Sequence, residues 1–108
     1  YGIFFATDKT DLTPESDPTL AEIAALLKSK PDLKIVVVGH TDNQGGFDHN
    51  MDLSKRRAAS VQAALVKRFQ VEAARLKSAG VGMVAPAASN ESEAGRAKNR
   101  RVEIVSLD

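Results

Sequence analysis

Arg57 is the residue most out of keeping with its neighbours. Winding residues 51–69 as a helix from Leu53, at about 100° per residue, puts Val61, Leu65 and Phe69 at roughly 80°, 120° and 160°. Ala64 and Ala58 fall near 20° and 140° on the same projection. This arc predicts the buried face, and Arg57 lies on it at about 40° while Lys55, Arg56, Ser60, Gln62 and Lys67 fall mostly outside it. An arginine on an apolar stripe either snorkels from the stripe's edge to water or meets a ligand. Close to a predicted helix start it lies beside unpaired backbone N–H groups, and the two together suit a carboxylate. Asp42, at the end of a β-branched run just before the loop feeding this helix, is placed to take a cationic group nearby. A carboxylate beside a guanidinium matches a zwitterionic amino-acid centre, one accepting from its ammonium and the other donating to its carboxylate. A plain Asp42–Arg57 salt bridge fits the same pattern, and periodicity does not separate the two.

Other constellations are weaker. His40, Asp42, Asp48 and His49 offer nitrogen and oxygen donors that can be imagined around zinc, but their spacing matches no standard ligand pattern. No serine or cysteine nucleophile motif accompanies them, so the expectation is binding rather than catalysis, with no metal and no cofactor. Lys55, Arg56, Arg57, Arg68 and the basic residues from Arg96 to Arg101 would have to carry a nucleic-acid interface. With 15 basic and 14 acidic residues, 5% aromatics and no tryptophan, no nucleic-acid partner is expected.

The elements that position these residues follow from pattern. Residues 1–7, rich in aromatic and β-branched side chains, predict a first strand from Tyr1 to Thr7, followed by a polar loop. Thr13-Pro14 and Asp17-Pro18 carry helix-start chemistry, and Leu20, Ile23, Ala24 and Leu27 recur at helical spacing up to Pro31. Residues 33–38 form a near-continuous apolar run that predicts a central strand covered on both faces. After a loop containing Gly45 and Gly46, Asn50 is a favoured N-cap for the long helix. Ala73-Ala74-Arg75-Leu76 fits one more helical turn, residues 77–84 a glycine-interrupted strand, and residues 96–99 a short helical segment. Residues 101–105 alternate as a last strand. This order predicts an α+β fold, a βαβαβ-type mixed sheet of about four strands with helices packed on one face.

At 108 residues the chain has the size of a single domain, 1–108, with 43% apolar and 27% charged residues. It contains no cysteine, which excludes disulfides and thiolate metal sites. Its apolar runs are too short to cross a bilayer. Beginning at Tyr1 rather than Met, it reads as a module whose targeting segment lies elsewhere, with any membrane attachment through a parent segment.

Three separated motifs then resemble one family. Gly39-His40-Thr41-Asp42, Asn50-x-x-Leu53-Ser54-x-x-Arg57-Ala58-x-x-Val61-x-x-x-Leu65 and Arg96-Ala97-x-Asn99-Arg100-Arg101-Val102-Glu103-Ile104 are similar to the OmpA-like C-terminal domain family. The resemblance covers nearly the whole chain. It implies non-covalent binding of peptidoglycan at the free amino-acid end of diaminopimelate in the stem peptide, anchoring an outer-membrane protein or lipoprotein from the periplasm. Asp42 and Arg57 fall on the family's principal contacts, and Thr7, Asp8, Lys9 and Asn50 on further ones. The family's Phe-Asp opening is replaced here by Phe5-Ala6-Thr7-Asp8. Arg100 and Arg101 resemble the closing arginines, although a basic pair near a chain end is usually a solvated strand edge. Wall anchoring of a flagellar stator or a secretion system fits the same site, and a metal-dependent cell-wall hydrolase is the alternative of another class. Replacing Asp42 or Arg57 by alanine is expected to weaken binding while leaving the protein folded. The oligomeric state is not legible.

Overall fold

The computed structural model describes residues 2–107. Its sheet has the order β1-β4-β2-β3, built from β1 (Gly2–Phe4), β2 (Ile35–Gly39), β3 (Leu76–Gly80) and β4 (Arg101–Ser106). β2 runs parallel to β3 and antiparallel to β4, and β1 runs antiparallel to β4, so the sheet is mixed. Helices α1 (Asp17–Ser29) and α2 (Phe47–Phe69) pack on one face, and the short α3 (Glu93–Asn99) precedes β4. The class and layering match the expected α+β fold.

Each element has a local cause. In α1, Leu20, Ile23 and Leu27 recur on one face and are fully buried, with Asp17 in the first turn and Pro31 just beyond the end. In α2 the buried residues Leu53, Ala58, Val61, Ala64 and Leu65 trace the predicted arc. Two glycines set how closely α2 lies on the sheet. A Cβ on Gly39 would stand 1.9 Å from the Ser54 carbonyl oxygen, and one on Gly80 would stand 2.4 Å from the Lys55 backbone nitrogen. Because neither strand presents a side chain there, the helix backbone rests on the ends of β2 and β3. That contact carries the third turn of α2, with Arg57, to the end of β2.

Several boundaries differ from expectation. The first strand stops at Phe4 rather than Thr7, because its partner β4 begins at Arg101 and the Arg100 side chain takes the next carbonyl, that of Phe5, at 3.1 Å. Tyr1 lies outside the described residues. β2 alternates, with Ile35, Val37 and Gly39 buried and Val36 and Val38 half-buried, because no helix covers the second sheet face. The glycine-interrupted strand is shorter and earlier, since Gly82 turns at φ +61° and gives its N–H to Ser54 Oγ at 2.9 Å. The short segment at 96–99 starts at Glu93, capped by Ser92 Oγ accepting from the Gly95 N–H. A 3-10 turn occupies Ala73–Arg75 as expected.

The largest revision concerns α2. It begins at Phe47 with Gly46 as N-cap, so Asn50 is not the cap. The Gly45-Gly46 step, with φ +87° at Gly45, lets the chain enter the helix early, and the Asn50 N–H bonds to Gly46 O inside the ladder. Arg57 is therefore well inside the helix, beyond its first two turns, where no backbone N–H is unpaired.

Candidate functional site

Four segments converge at the end of β2: residues 40–46, the turn at residues 6–9, the inner face of α2, and Arg100 between α3 and β4. Asp42 is 4% exposed. Its Oδ1 accepts from the Gln44 N–H at 3.0 Å, closing an Asx turn, and its Oδ2 accepts from Arg100 Nη1 at 3.1 Å. Arg100 also donates from Nε to Phe5 O and pairs through Nη2 with Glu93 Oε1 at 2.8 Å. Burial works against its charge, but hydrogen bonds to Glu93 and Asp42 and their negative charges outweigh it and raise the pKa. The closing arginine is thus a buried partner of Asp42.

Arg57 has no exposed surface. Its Nε donates to Lys9 O at 2.9 Å, Nη1 to His40 O at 3.1 Å and Nη2 to Ala6 O at 3.0 Å, and the group stands 5.3 Å from the Phe5 ring centre. It does not snorkel, because three backbone carbonyls replace water around it. Desolvation pushes its pKa down to about 10, with Asp42 opposing and Arg100 reinforcing, so it remains a cation at neutral pH. The salt bridge to Asp42 drawn from periodicity is supplied instead by Arg100.

Asn50, 1% exposed, donates from Nδ2 to Gln44 O at 2.9 Å, with Asp42 O at 3.4 Å. Its buried Oδ1 has no partner among the described residues. A buried acceptor left open beside Asp42 is costly in a closed core and useful in a binding site. Thr7, Asp8 and Lys9 are exposed on the turn above Arg57, Asp8 with φ +57°. Asp8 Oδ1 meets His49 Nε2 at 3.0 Å, a pairing that no local signal announced.

Other residues lie elsewhere. Arg101 is buried on the sheet face without helices and bonds Glu103, Asn99 O and Ala85 O. It is not a solvated edge, because β4 lies between β1 and β2. His40 is also turned to that side, with Nε2 3.6 Å from Glu103 Oε2 and no hydrogen bond to either ring nitrogen. His40 and His49 thus have separate partners, and no group of three metal-ligating side chains occurs among the described residues. A cleft of about 470 Å³ beside Phe4, Lys98, Arg101 and Glu103 opens on this far face, away from Asp42. Asn99, fully buried, accepts from the Ala87 and Ala88 N–H groups and donates to Ala88 O, which shapes the loop before α3.

The far-face cluster makes stability depend on pH. Burial, then Arg101, lowers the His40 pKa from its ordinary 6.5, against the pull of Glu103. The unfolded chain therefore binds this proton more readily, and the contribution present above about pH 6.5 is lost as pH falls toward the depressed folded value. Arg101 lowers Glu103 from 4.5 chiefly by hydrogen bonding, so its contribution fades only below that pH. The melting temperature is expected to fall between about pH 7.5 and pH 5, and His40→Gln to flatten the profile there. An unchanged slope in thermal melts of that variant would remove His40 from the account.

Comparison with known proteins agrees with this architecture. Residues 4–100 match the OmpA family model. Probable lipoprotein YiaD of Escherichia coli is 42% identical over 95% of this chain, which spans 47% of YiaD. Peptidoglycan-binding protein ArfA of Mycobacterium tuberculosis is 43% identical over 95% of the chain, which spans 31% of ArfA. The crystal structure of the peptidoglycan-associated lipoprotein from Burkholderia pseudomallei superimposes with a TM-score of 0.92 at 30% identity, covering 98% of this chain and 89% of that one.

Proposed function

Since this chain belongs to the OmpA family, we propose that it is a non-enzymatic domain, 1–108, which binds peptidoglycan through the zwitterionic end of a stem-peptide diamino acid such as diaminopimelate. The observation that carries this reading is the open, buried Oδ1 of Asn50, on a side chain whose amide nitrogen faces the backbone carbonyls of Asp42 and Gln44. An ammonium inserted there would meet a negative charge and an unused acceptor together. Arg57, held on three neutral backbone carbonyls, supplies the cation for the ligand's carboxylate. Thr7, Asp8 and Lys9 form the rim, and Arg100 holds Asp42 in place. ArfA's name and that of the B. pseudomallei lipoprotein support a wall ligand. A parent protein of the outer membrane, reaching the wall from the periplasm, accords with relatives such as outer-membrane lipoprotein YfiB of Pseudomonas aeruginosa.

The binding needs neither metal nor cofactor. Titration with purified muropeptides is expected to show saturable binding when the stem peptide ends in diaminopimelate. Binding should be weaker by about tenfold when lysine, lacking the second carboxylate, replaces it, since one charge-assisted contact is lost. Equal affinity for both peptides would remove the zwitterion from the reading.

A further inference from the structure

Arg57 is fully buried while the turn above it, residues 6–9, is exposed along its length. The turn is therefore the layer that separates the guanidinium from solvent. Three bonds hold it down and one closes it on itself. Arg57 Nη2 donates to Ala6 O at 3.0 Å and Nε to Lys9 O at 2.9 Å, and the Lys9 N–H closes the turn on Ala6 O at 3.1 Å. The fourth is the 3.0 Å contact between Asp8 and His49, which ties the tip of the turn to the first turn of α2. We infer that the 6–9 turn is a lid over Arg57 and that His49, through Asp8, is the positioning residue that latches it. The inference rests on the proposed wall-ligand site and names how that site is entered.

The exchange is chemically balanced in its hydrogen bonds. A ligand carboxylate arriving at Arg57 displaces the neutral carbonyls of Ala6 and Lys9, and a charge-assisted bond is stronger than the bond it replaces. Opening comes first, because no surface of Arg57 is accessible while the lid is down. Apparent affinity is then the intrinsic affinity scaled by the open fraction. The latch is half-exposed on the His49 side and more than half on the Asp8 side. An exposed pair of that kind weighs the closed state by a factor of about two to five.

The test uses the chain as it stands, with His49→Leu to cut the latch and His49→Gln to restore a donor toward Asp8. His49→Leu is expected to raise the association rate of a diaminopimelate muropeptide about two- to fivefold, with little change in the melting temperature, and His49→Gln to return the rate toward wild type. Hydrogen exchange at the Lys9 amide in the ligand-free protein should quicken by a similar factor in His49→Leu. Unchanged exchange would overturn the lid. Faster exchange with an unchanged association rate would overturn its control of access. If the wild type binds no muropeptide the ligand reading fails by itself, and the exchange experiment still decides whether the latch exists.

Discussion

Arg57→Ala is expected to cost about 3–5 kcal/mol of folding stability, a loss comparable to breaking a buried ion pair. Three backbone carbonyls, those of Ala6, Lys9 and His40, would lose the guanidinium at once, and only Ala6 O keeps another donor, the Lys9 N–H. Each orphaned buried acceptor costs roughly 1–3 kcal/mol, and partial access of water to the exposed turn keeps the sum below the arithmetic maximum. The truncation also empties the space beside Phe5 and removes a positive charge that interacts favourably with Asp42. At about 4–8 °C per kcal/mol for a domain of this size, the melting temperature should fall by at least 12 °C. Arg57→Lys keeps the charge but offers a compact ammonium instead of a planar fork, so it should recover only part of the loss. A thermal melt of Arg57→Ala within about 2 °C of wild type would mean that the guanidinium does not hold the turns together. The expectation from sequence, that the alanine variant stays folded with only binding impaired, is revised by this geometry. Weak wall binding by Arg57→Ala would report a disordered site as readily as a missing contact.

Arg57 is legible in the sequence and its partners are not. Helical periodicity placed it between Leu53 and Val61, and all three are buried on one face of α2. Its partners are backbone carbonyls, which every residue carries, so no residue type marks them in advance. Arg100 reaches Asp42 across 58 positions, and Glu93 and Phe5 complete its surroundings from two other elements. Nothing local in the sequence could have paired them. Arg101 looked like a solvated edge because alternation gives the facing of a strand but not its place in the sheet, and β4 lies second. Asn50 is a good cap by type, yet α2 starts three residues before it. Gly46, extended at φ −75° and ψ 162°, takes that position and leaves Asn50 to point inward. The start of α3 falls three residues before the expected Arg96, although Ser92 three residues before Gly95 is ordinary capping chemistry.

Asp42→Asn is expected to weaken diaminopimelate muropeptide binding about a hundredfold, or roughly 2.7 kcal/mol, the scale of losing one partner of a buried charge contact. The substitution keeps the shape and removes the charge. An asparagine carbonyl can still accept from the Gln44 N–H, but its amide nitrogen would then face Arg100 Nη1, a donor against a donor. Arg100 retains Glu93 and Phe5 O, so the stability loss should stay near 1 kcal/mol, far less than for Arg57→Ala. This separation of binding from folding makes Asp42, rather than Arg57, the residue on which the wall-ligand reading is best tested. Acetylating the ligand's terminal amine provides the complementary half of a double cycle. It should weaken wild-type binding about as much as Asp42→Asn does, and it should add little when the carboxylate is already gone. Additive losses would place the ammonium away from Asp42. Pull-down of cell-wall sacculi by Asp42→Asn at the wild-type level would reject the site altogether, whatever the stability of the variant.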